Sequence, residues 1–252
     1  QTVELSIHFE PHPGQSFSTE PASLLPWVES GLATLGIFQM PEGHLTIQST
    51  IPMGAGLGSS AALCVSLVQW LAEPLQIPSS EWRSLATNLE NRFHGKSSGM
   101  DVAVILAGAP IAFSQAHGAQ VLDLQRLPRF TLHDTGMRAQ TRDCILKVQS
   151  LAQRDPKQAR DLDEKMNQAS ILARGGLKDY DQGFLETGLA SLHKAMRMGA
   201  ECFHAWGLVP PEAENLAQSL LAKGALAVKL TGAGGGGAMV ALWDDRLGNF
   251  PS

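Results

Sequence analysis

The chain has 252 residues, of which 44% are hydrophobic and 17% are charged. This composition supports a sizeable core in one large domain or two modest ones, and it excludes wholesale disorder. The net charge of −5 gives no sign of a nucleic-acid-binding surface, and we find no apolar run long enough to span a bilayer.

The first half of the chain mixes predicted strands and helices. Strands are indicated by alternating or short apolar runs, and helices by apolar residues at three- and four-residue spacing. Strands are predicted over residues 3–9, 44–49, 102–107, 110–113 and 120–124, and helices over 23–36, 59–73 and 79–93. The strands at 102–107 and 110–113 are expected to pair as a hairpin with Gly108 at the turn.

The second half is dominated by predicted helices between residues 138 and 222, preceded by a short strand at 130–133. Two further strands, 225–230 and 238–243, flank a glycine loop. This order favours an α+β fold with two lobes. We place the N-terminal lobe at residues 1–130 and the C-terminal lobe at 131–252.

The strongest functional signal is the segment Pro52-Met-Gly-Ala-Gly-Leu-Gly-Ser-Ser-Ala-Ala62. A strand enters a glycine turn that opens a helix, an arrangement in which backbone N–H groups and the helix dipole favour bound phosphate. A serine-capped glycine turn is the plainer alternative, but three glycines beside a double serine favour phosphate binding. The segment is not a P-loop, because no Lys follows the glycines. The candidate phosphate-binding residues are Gly54, Ala55, Gly56, Leu57, Gly58, Ser59, Ser60 and Ala61.

A second segment, residues 90–101, carries carboxylates around a glycine turn. Gly95 and Gly99 allow a tight loop that we expect to present Asp101 at the start of a strand, where it could accept a hydroxyl proton. On the residues alone, Asp101 is equally well a turn cap. Glu90 and His94 share a helix face. By themselves they suggest a surface charge and a positioning hydrogen bond.

A third segment has five glycines in the six positions from 232 to 237, between two apolar strands. A simple hairpin turn needs only one or two glycines. Five predict a close approach of several backbone segments, which we interpret as support for the phosphate loop and a substrate pocket.

The three segments, in this order and spacing, resemble signatures of the GHMP kinases, and the middle one resembles the stretch typical of mevalonate kinases. Residues 134–142 are similar to a further segment of that family that ends near the catalytic Asp. Two positions depart from the family pattern: Ser97 replaces the usual Pro, and Val102 replaces the usual Asn after Asp101.

The resemblance implies a two-lobed GHMP kinase fold, with a ribosomal-protein-S5-like N-terminal lobe, a ferredoxin-like C-terminal lobe and ATP between them. It implies Asp101 as the catalytic residue and Ser60 and Glu90 as ligands of Mg²⁺. The implied reaction is ATP-dependent phosphorylation of mevalonate to 5-phosphomevalonate in isoprenoid precursor synthesis. The substrate-side residues would be His94, Ser98, Thr141, Gly232, Ala233 and Gly234.

Two alternatives stay open at this point. One is another GHMP kinase, acting on a sugar, homoserine or a phosphomevalonate-type substrate. The other is a non-catalytic protein of this fold that binds ATP or a metabolite. In either case we expect a small-molecule ligand, no nucleic acid, no membrane and a homodimer. The three cysteines lie far apart without a CxxC spacing, which predicts free thiols in the reducing cytoplasm.

The family's first signature, which carries a Lys and a Glu near its start, is not found in this sequence, which begins at Gln1. We expect an upstream segment with a Lys and a Gly-Glu-His-like turn, placed directly before a strand that pairs with residues 3–9.

Overall fold

The structure is a computed structural model that describes residues 4–9, 29, 33, 36, 44–52, 54–73, 75–138 and 141–247. The chain divides into two compact units. The first comprises Gln1–Met53 and Gly58–Val121, and the second comprises Gly54–Leu57 and Leu122–Ser252. The predicted helix over 23–36 falls largely outside the described residues.

In the first unit, strand β1 (Glu4–Phe9) pairs in parallel with β2 (His44–Ser49), in a register that sets Glu4 opposite His44. Helices α1 (Ser59–Ala72), α2 (Ser79–His94) and α3 (Met100–Ala107) follow. An antiparallel hairpin of β3 (Ile111–Ser114) and β4 (Gly118–Val121) completes the unit. The predicted strands at 3–9 and 44–49 and helices at 59–73 and 79–93 are confirmed to within three residues at their ends.

The core of the first unit lies between the three helices. Helix α1 is apolar over most of its surface, and Cys64, Leu67 and Val68 are buried on it. They lie in one cluster with Leu89 of α2 and Val102 of α3. Each fully buried apolar side chain of this size stabilises the fold by about 1.5–3 kcal/mol, so this packing sets the positions of the loops that join the helices.

The strand predicted over residues 102–107 is wrong, because these residues form helix α3. Gly99 and Gly108 both adopt left-handed backbone conformations and bound this helix, whereas the prediction used Gly108 as a hairpin turn. An unbroken apolar run is compatible with a buried strand or a buried helix, and periodicity alone does not separate them. The hairpin exists, but β3 pairs with β4, residues 118–121, instead.

The second unit contains a three-stranded antiparallel sheet in the order β5-β7-β6. Four helices cover the stretch predicted to be helical, and no described helix of either unit is long and apolar enough to cross a membrane. The elements are β5 (Arg129–Asp134), α4 (Thr141–Arg154), α5 (Pro156–Asp181), α6 (Leu185–Ala205), α7 (Pro211–Ala222), β6 (Ala227–Leu230) and β7 (Ala238–Trp243), followed by a 3₁₀ turn at Asp245–Leu247.

The helix pair α5–α6 and strand β7 carry the core of this unit. Trp243 and Leu242 of β7 are fully buried, and the indole N–H of Trp243 donates to the Thr131 hydroxyl of β5 at 2.7 Å. Helices α5 and α6 approach so closely at Gly188 that a Cβ atom on this residue would lie 2.7 Å from the backbone N of Tyr180. Strands β6 and β7, and therefore the two ends of the glycine loop between them, are anchored in this packed core.

Candidate active site

The glycine turn at 54–58 leads into α1 without a side-chain cap. Gly54, Gly56 and Gly58 have φ angles of 69°, 70° and 74°, a region that favours glycine. Gly58 is the N-cap residue, so Ser59 and Ser60 occupy the first helical positions, and the serine-capped alternative is wrong. Amides of a first helical turn have no carbonyl partner within the helix and favour anions. The start of α1 therefore has the chemistry of a phosphate site.

Asp101 lies beside this helix start within the first unit. It occupies the first turn of α3, not the start of a strand as predicted, because Gly99 turns the chain into a helix. A Cβ atom on Gly58 would lie 3.7 Å from Cβ and 3.8 Å from Cγ of Asp101. The structure thus brings the carboxylate of Asp101 next to the last glycine of the predicted phosphate loop.

Glu90 is buried on α2 with only 2% of its surface exposed, so it is not the solvated charge that its sequence position suggests. Its Oε2 accepts a hydrogen bond from the Ser97 hydroxyl. Burial, followed by the negative charge of Glu90, raises the pKa of Cys64 to about 12. Ser60 precedes Cys64 on α1 by one helical turn, so the two residues lie on the same face of that helix.

The Ser60 hydroxyl and the Glu90 carboxylate are oxygen donors of the kind that Mg²⁺ prefers. The described part of the chain holds no cluster of three or more His, Cys, Asp or Glu side chains suited to a metal ion. Mg²⁺ seldom uses an all-protein cage, and one or two protein ligands together with substrate phosphates and water suffice. The residues present therefore fit Mg²⁺ bound with a nucleotide.

The turn between α2 and α3 is organised by two serines. Backbone N–H groups donate to both hydroxyls, Gly99 to Ser97 at 3.0 Å and Met100 to Ser98 at 3.3 Å. Ser98 is exposed, as a residue that meets a substrate must be. The predicted role of His94 concerns its side chain, which lies outside the described part of the structure.

The glycine loop at 232–237 lies directly on the residues of the phosphate loop that belong to the second unit. A Cβ atom on Gly232 would lie 3.0 Å from the Gly56 Cα atom, and one on Gly237 would lie 2.5 Å from the Ala55 carbonyl oxygen. That same oxygen accepts a hydrogen bond from the Ala238 N–H at 2.7 Å. The predicted close approach of backbone segments is therefore confirmed.

A third segment joins this cluster, and sequence reasoning missed its role. Gly237 N–H donates to the Met137 carbonyl at 2.9 Å, and a Cβ atom on Gly236 would lie 2.8 Å from Met137 Cβ. Arg138 pairs with Asp134 at 2.6 Å, and its Cδ would lie 3.3 Å from a Cβ atom on Gly54. The i, i+4 spacing of opposite charges was the available signal, but outside a helix it predicts nothing.

The remaining substrate-side residues are placed in the second unit, but their roles stay predictions. Thr141 is the half-buried first residue of α4 and belongs to the second unit. Its contact with a substrate stays a prediction. Gly232, Ala233 and Gly234 lie in the glycine loop, and their contact with a substrate stays a prediction as well.

Two family models match this chain. The GHMP kinases N terminal domain matches residues 28–109, and the GHMP kinases C terminal domain matches residues 182–248. The two matches contain α1, α2 and α3 on one side and α6, α7, β6 and β7 on the other. Asp101, Glu90 and both glycine loops fall within them.

Relatives and solved structures agree with these matches. A mevalonate kinase of Aeropyrum pernix is 31% identical over 96% of this chain and 74% of its own length. A mevalonate kinase of Gibberella zeae is 29% identical over 83% of this chain, which spans only 45% of that protein. The crystal structure of L. major mevalonate kinase in complex with R-mevalonate has the same fold, with a TM-score of 0.76 at 22% identity, covering 95% of this chain and 73% of that one. The predicted α+β fold class is confirmed, and the chain belongs to the GHMP kinases.

Proposed function

We propose that the protein transfers the γ-phosphoryl group of ATP to the hydroxyl of mevalonate, giving 5-phosphomevalonate and ADP. The observation that carries the proposal is the placement of Asp101 beside Gly58, where α1 begins without a side-chain cap. A proton acceptor next to a phosphate-binding helix start is the arrangement that phosphoryl transfer to an alcohol requires. The relatives named mevalonate kinases support the choice of acceptor.

In this reaction the hydroxyl oxygen of the acceptor forms a bond to the γ-phosphorus. The bond from that phosphorus to the oxygen bridging the β-phosphate breaks, and ADP leaves with the electron pair. Asp101 orients the hydroxyl and accepts its proton. Because Asp101 is held in the first turn of a helix, its carboxylate is positioned before the substrate arrives, which lowers the entropic cost of alignment.

The phosphate groups are held mainly by backbone groups. We assign this role to the amides of the first turn of α1, which begins at Gly58 without a side-chain cap. We assign Ser60 and Glu90 as the residues that hold Mg²⁺, which supplies positive charge to the phosphate oxygens when bound. Burial of the Glu90 side chain restricts its rotamers, so it needs little reorganisation to meet a metal ion.

Asp101→Asn tests the proposal. We expect kcat for mevalonate-dependent ADP formation to fall by about 100-fold or more, the lower end of general-base effects, while calorimetry shows unchanged affinity for ATP. The control is Glu81→Gln, which removes an acidic group from the exposed first turn of α2. A near-full rate in Asp101→Asn would overturn the assignment.

The acceptor is tested separately, by comparing mevalonate with galactose, homoserine and 5-phosphomevalonate. Val102, one of the two departures from the family pattern, is fully buried in the core of the first unit. It presents no polar group to a ligand, so this departure does not argue for a different acceptor. We expect mevalonate to give the highest kcat/KM. A higher value for another alcohol would move the protein to a different kinase of the family, and no turnover with any of them would favour a binding protein.

We also propose that the protein works in the cytoplasm as a homodimer. All three cysteines are free and buried, which suits a reducing compartment. The oligomeric state is measured directly by light scattering during size-exclusion chromatography.

A further inference from the structure

Glu90 is the only buried polar or charged side chain among the residues that the structure describes. An ionised carboxylate is costly to bury unless hydrogen bonds or a cation compensate for lost water. The Ser97 hydroxyl donates to its Oε2 atom. Ser97 follows Glu90 by seven residues and lies beyond the end of α2, so the contact depends on the path of the turn.

Ser97 is itself held on two sides. Its backbone N–H donates to the Asn91 side-chain oxygen at 2.7 Å, and its hydroxyl oxygen accepts from the Gly99 N–H at 3.0 Å. A serine hydroxyl carries a single proton. An ionised carboxylate can only accept, so this proton points to Glu90, while a lone pair of the same oxygen accepts from the Gly99 N–H. The backbone of the turn therefore helps to fix the position of the hydroxyl that donates to Glu90.

We propose that Ser97 is a positioning residue that orients the Glu90 carboxylate for Mg²⁺ by holding its Oε2 atom. The inference rests on the proposed function, in which Glu90 is a metal ligand. Partners that orient a metal ligand restrict its rotation and commonly set metal affinity almost as strongly as the ligand itself. Ser97 would do this without touching the metal.

The residue type supports this reading. A proline at position 97, the family's usual residue, has neither a backbone N–H nor a hydroxyl. It could make neither the bond to Asn91 nor the bond to Glu90. In this chain the serine therefore supplies two contacts that the family pattern lacks at this position, and one of them ends on the predicted metal ligand.

The competing explanation is that Ser97 only ties the turn to α2. Such a tie would affect stability but not metal affinity. The two are separated by measuring metal binding directly, with Mn²⁺ as a paramagnetic substitute for Mg²⁺, on the protein saturated with a non-hydrolysable ATP analogue. Affinity for the analogue without metal and the melting temperature are measured alongside.

We expect Ser97→Ala to weaken Mn²⁺ binding by about tenfold, the lower end of effects for residues that orient a ligand, with unchanged metal-free affinity for the analogue. Ser97→Thr, which keeps the hydroxyl, should restore metal binding. The matched control is Ser84→Ala on α2, the helix that carries Glu90, because the exposed Ser84 hydroxyl donates to the Glu81 carbonyl at 2.9 Å. If Ser97→Ala does not fold, Ser97→Cys replaces it, because the thiol is nearly isosteric and only a weak donor.

A lower melting temperature with unchanged metal affinity in Ser97→Ala would overturn the inference. So would additive losses in Glu90→Gln and Ser97→Ala, because residues that serve one ligand must be coupled. If Glu90→Gln alone leaves Mn²⁺ affinity unchanged, both this inference and the metal assignment are overturned. The Asp101→Asn result still decides phosphoryl transfer independently.

Discussion

The turn at 95–99 and the loop at 232–237 are both glycine-rich, but they use glycine for different reasons. Gly95 and Gly237 have the same φ angle of 79°. Among the described residues, a Cβ atom on Gly95 would meet no atom within 4 Å, whereas one on Gly237 would lie 2.5 Å from the Ala55 carbonyl oxygen. In the turn at 95–99, glycine only allows the chain to bend, which positions the functional side chains on either side of it. In the second loop the missing side chain is itself what allows two backbones to meet.

The largest effect is expected for Gly237→Ala. The left-handed backbone costs an alanine about 1–2 kcal/mol, and displacing a backbone neighbour adds about 1–3 kcal/mol of overpacking. We therefore expect the free energy of unfolding, measured with urea, to fall by about 2–5 kcal/mol. Gly207→Ala is the control, because Gly207 has a φ of 69° and open space around its Cβ position. Equal losses in the two variants would show that conformation alone explains the loop.

A smaller effect is expected for Val102→Asn, which restores the family's usual residue next to Asp101. Val102 is fully buried. The amide of an asparagine at this position would lose its hydrogen bonds to water without gaining a partner, which should lower the free energy of unfolding by about 1–3 kcal/mol. Urea unfolding measures the loss, and Val104→Asn at a half-buried position of the same helix serves as the control. A variant as stable as the unsubstituted protein would mean that the turn at 95–99 and its helix can supply a polar partner.

Gly95→Ala should cost less than Gly237→Ala, about 1–3 kcal/mol from the strained backbone alone, because φ 79° with ψ −60° is a conformation that L residues rarely adopt. No neighbouring atom has to move, since the space at its Cβ position is open. The same urea experiment checks it. A loss as large as that of Gly237→Ala would remove the distinction between the two glycine segments.

The smallest effect concerns His133 of β5, the strand that leads into the residues contacting the glycine loop. Burial, and then the charge of Lys223, lower the pKa of His133 below its usual 6.5. The folded state therefore binds this proton less readily than the unfolded state, so the contribution to stability is present above pH 6.5 and is lost as the pH falls through the folded pKa. Histidine NMR titration should show a low pKa that rises in Lys223→Gln. An unchanged value in that variant would exclude the lysine as a cause.

The elements that sequence predicted well are those with a clear period or clear boundaries. Strand β7, residues 238–243, and helix α2 have both. Helix α3 was misread because its six apolar residues from Val102 to Ala107 show no period. Gly108 is predicted as a hairpin turn and Gly99 as part of a tight loop, whereas both bound a helix.

The site was predictable where it depends on backbone, and less so where it depends on side-chain partners. The glycines at 232 and 234–237 predicted a close approach by their number alone. The contact between Ser97 and Glu90 depends on the path of a turn, and no local pattern encodes it. The contact of the Arg138 side chain with Gly54 likewise joins residues about 80 positions apart in the chain.

The assignment of Gly54–Leu57 to the second unit has a consequence for the order of synthesis. The Ala55 carbonyl is made before its partner, the Ala238 N–H, which follows about 180 residues later. At translation rates of about 5–20 residues per second, roughly 10–40 seconds separate the two. During that interval the glycine turn has no backbone partner in β7. The second unit can therefore be completed only when β7 emerges, although four of its residues precede helix α1 in the chain.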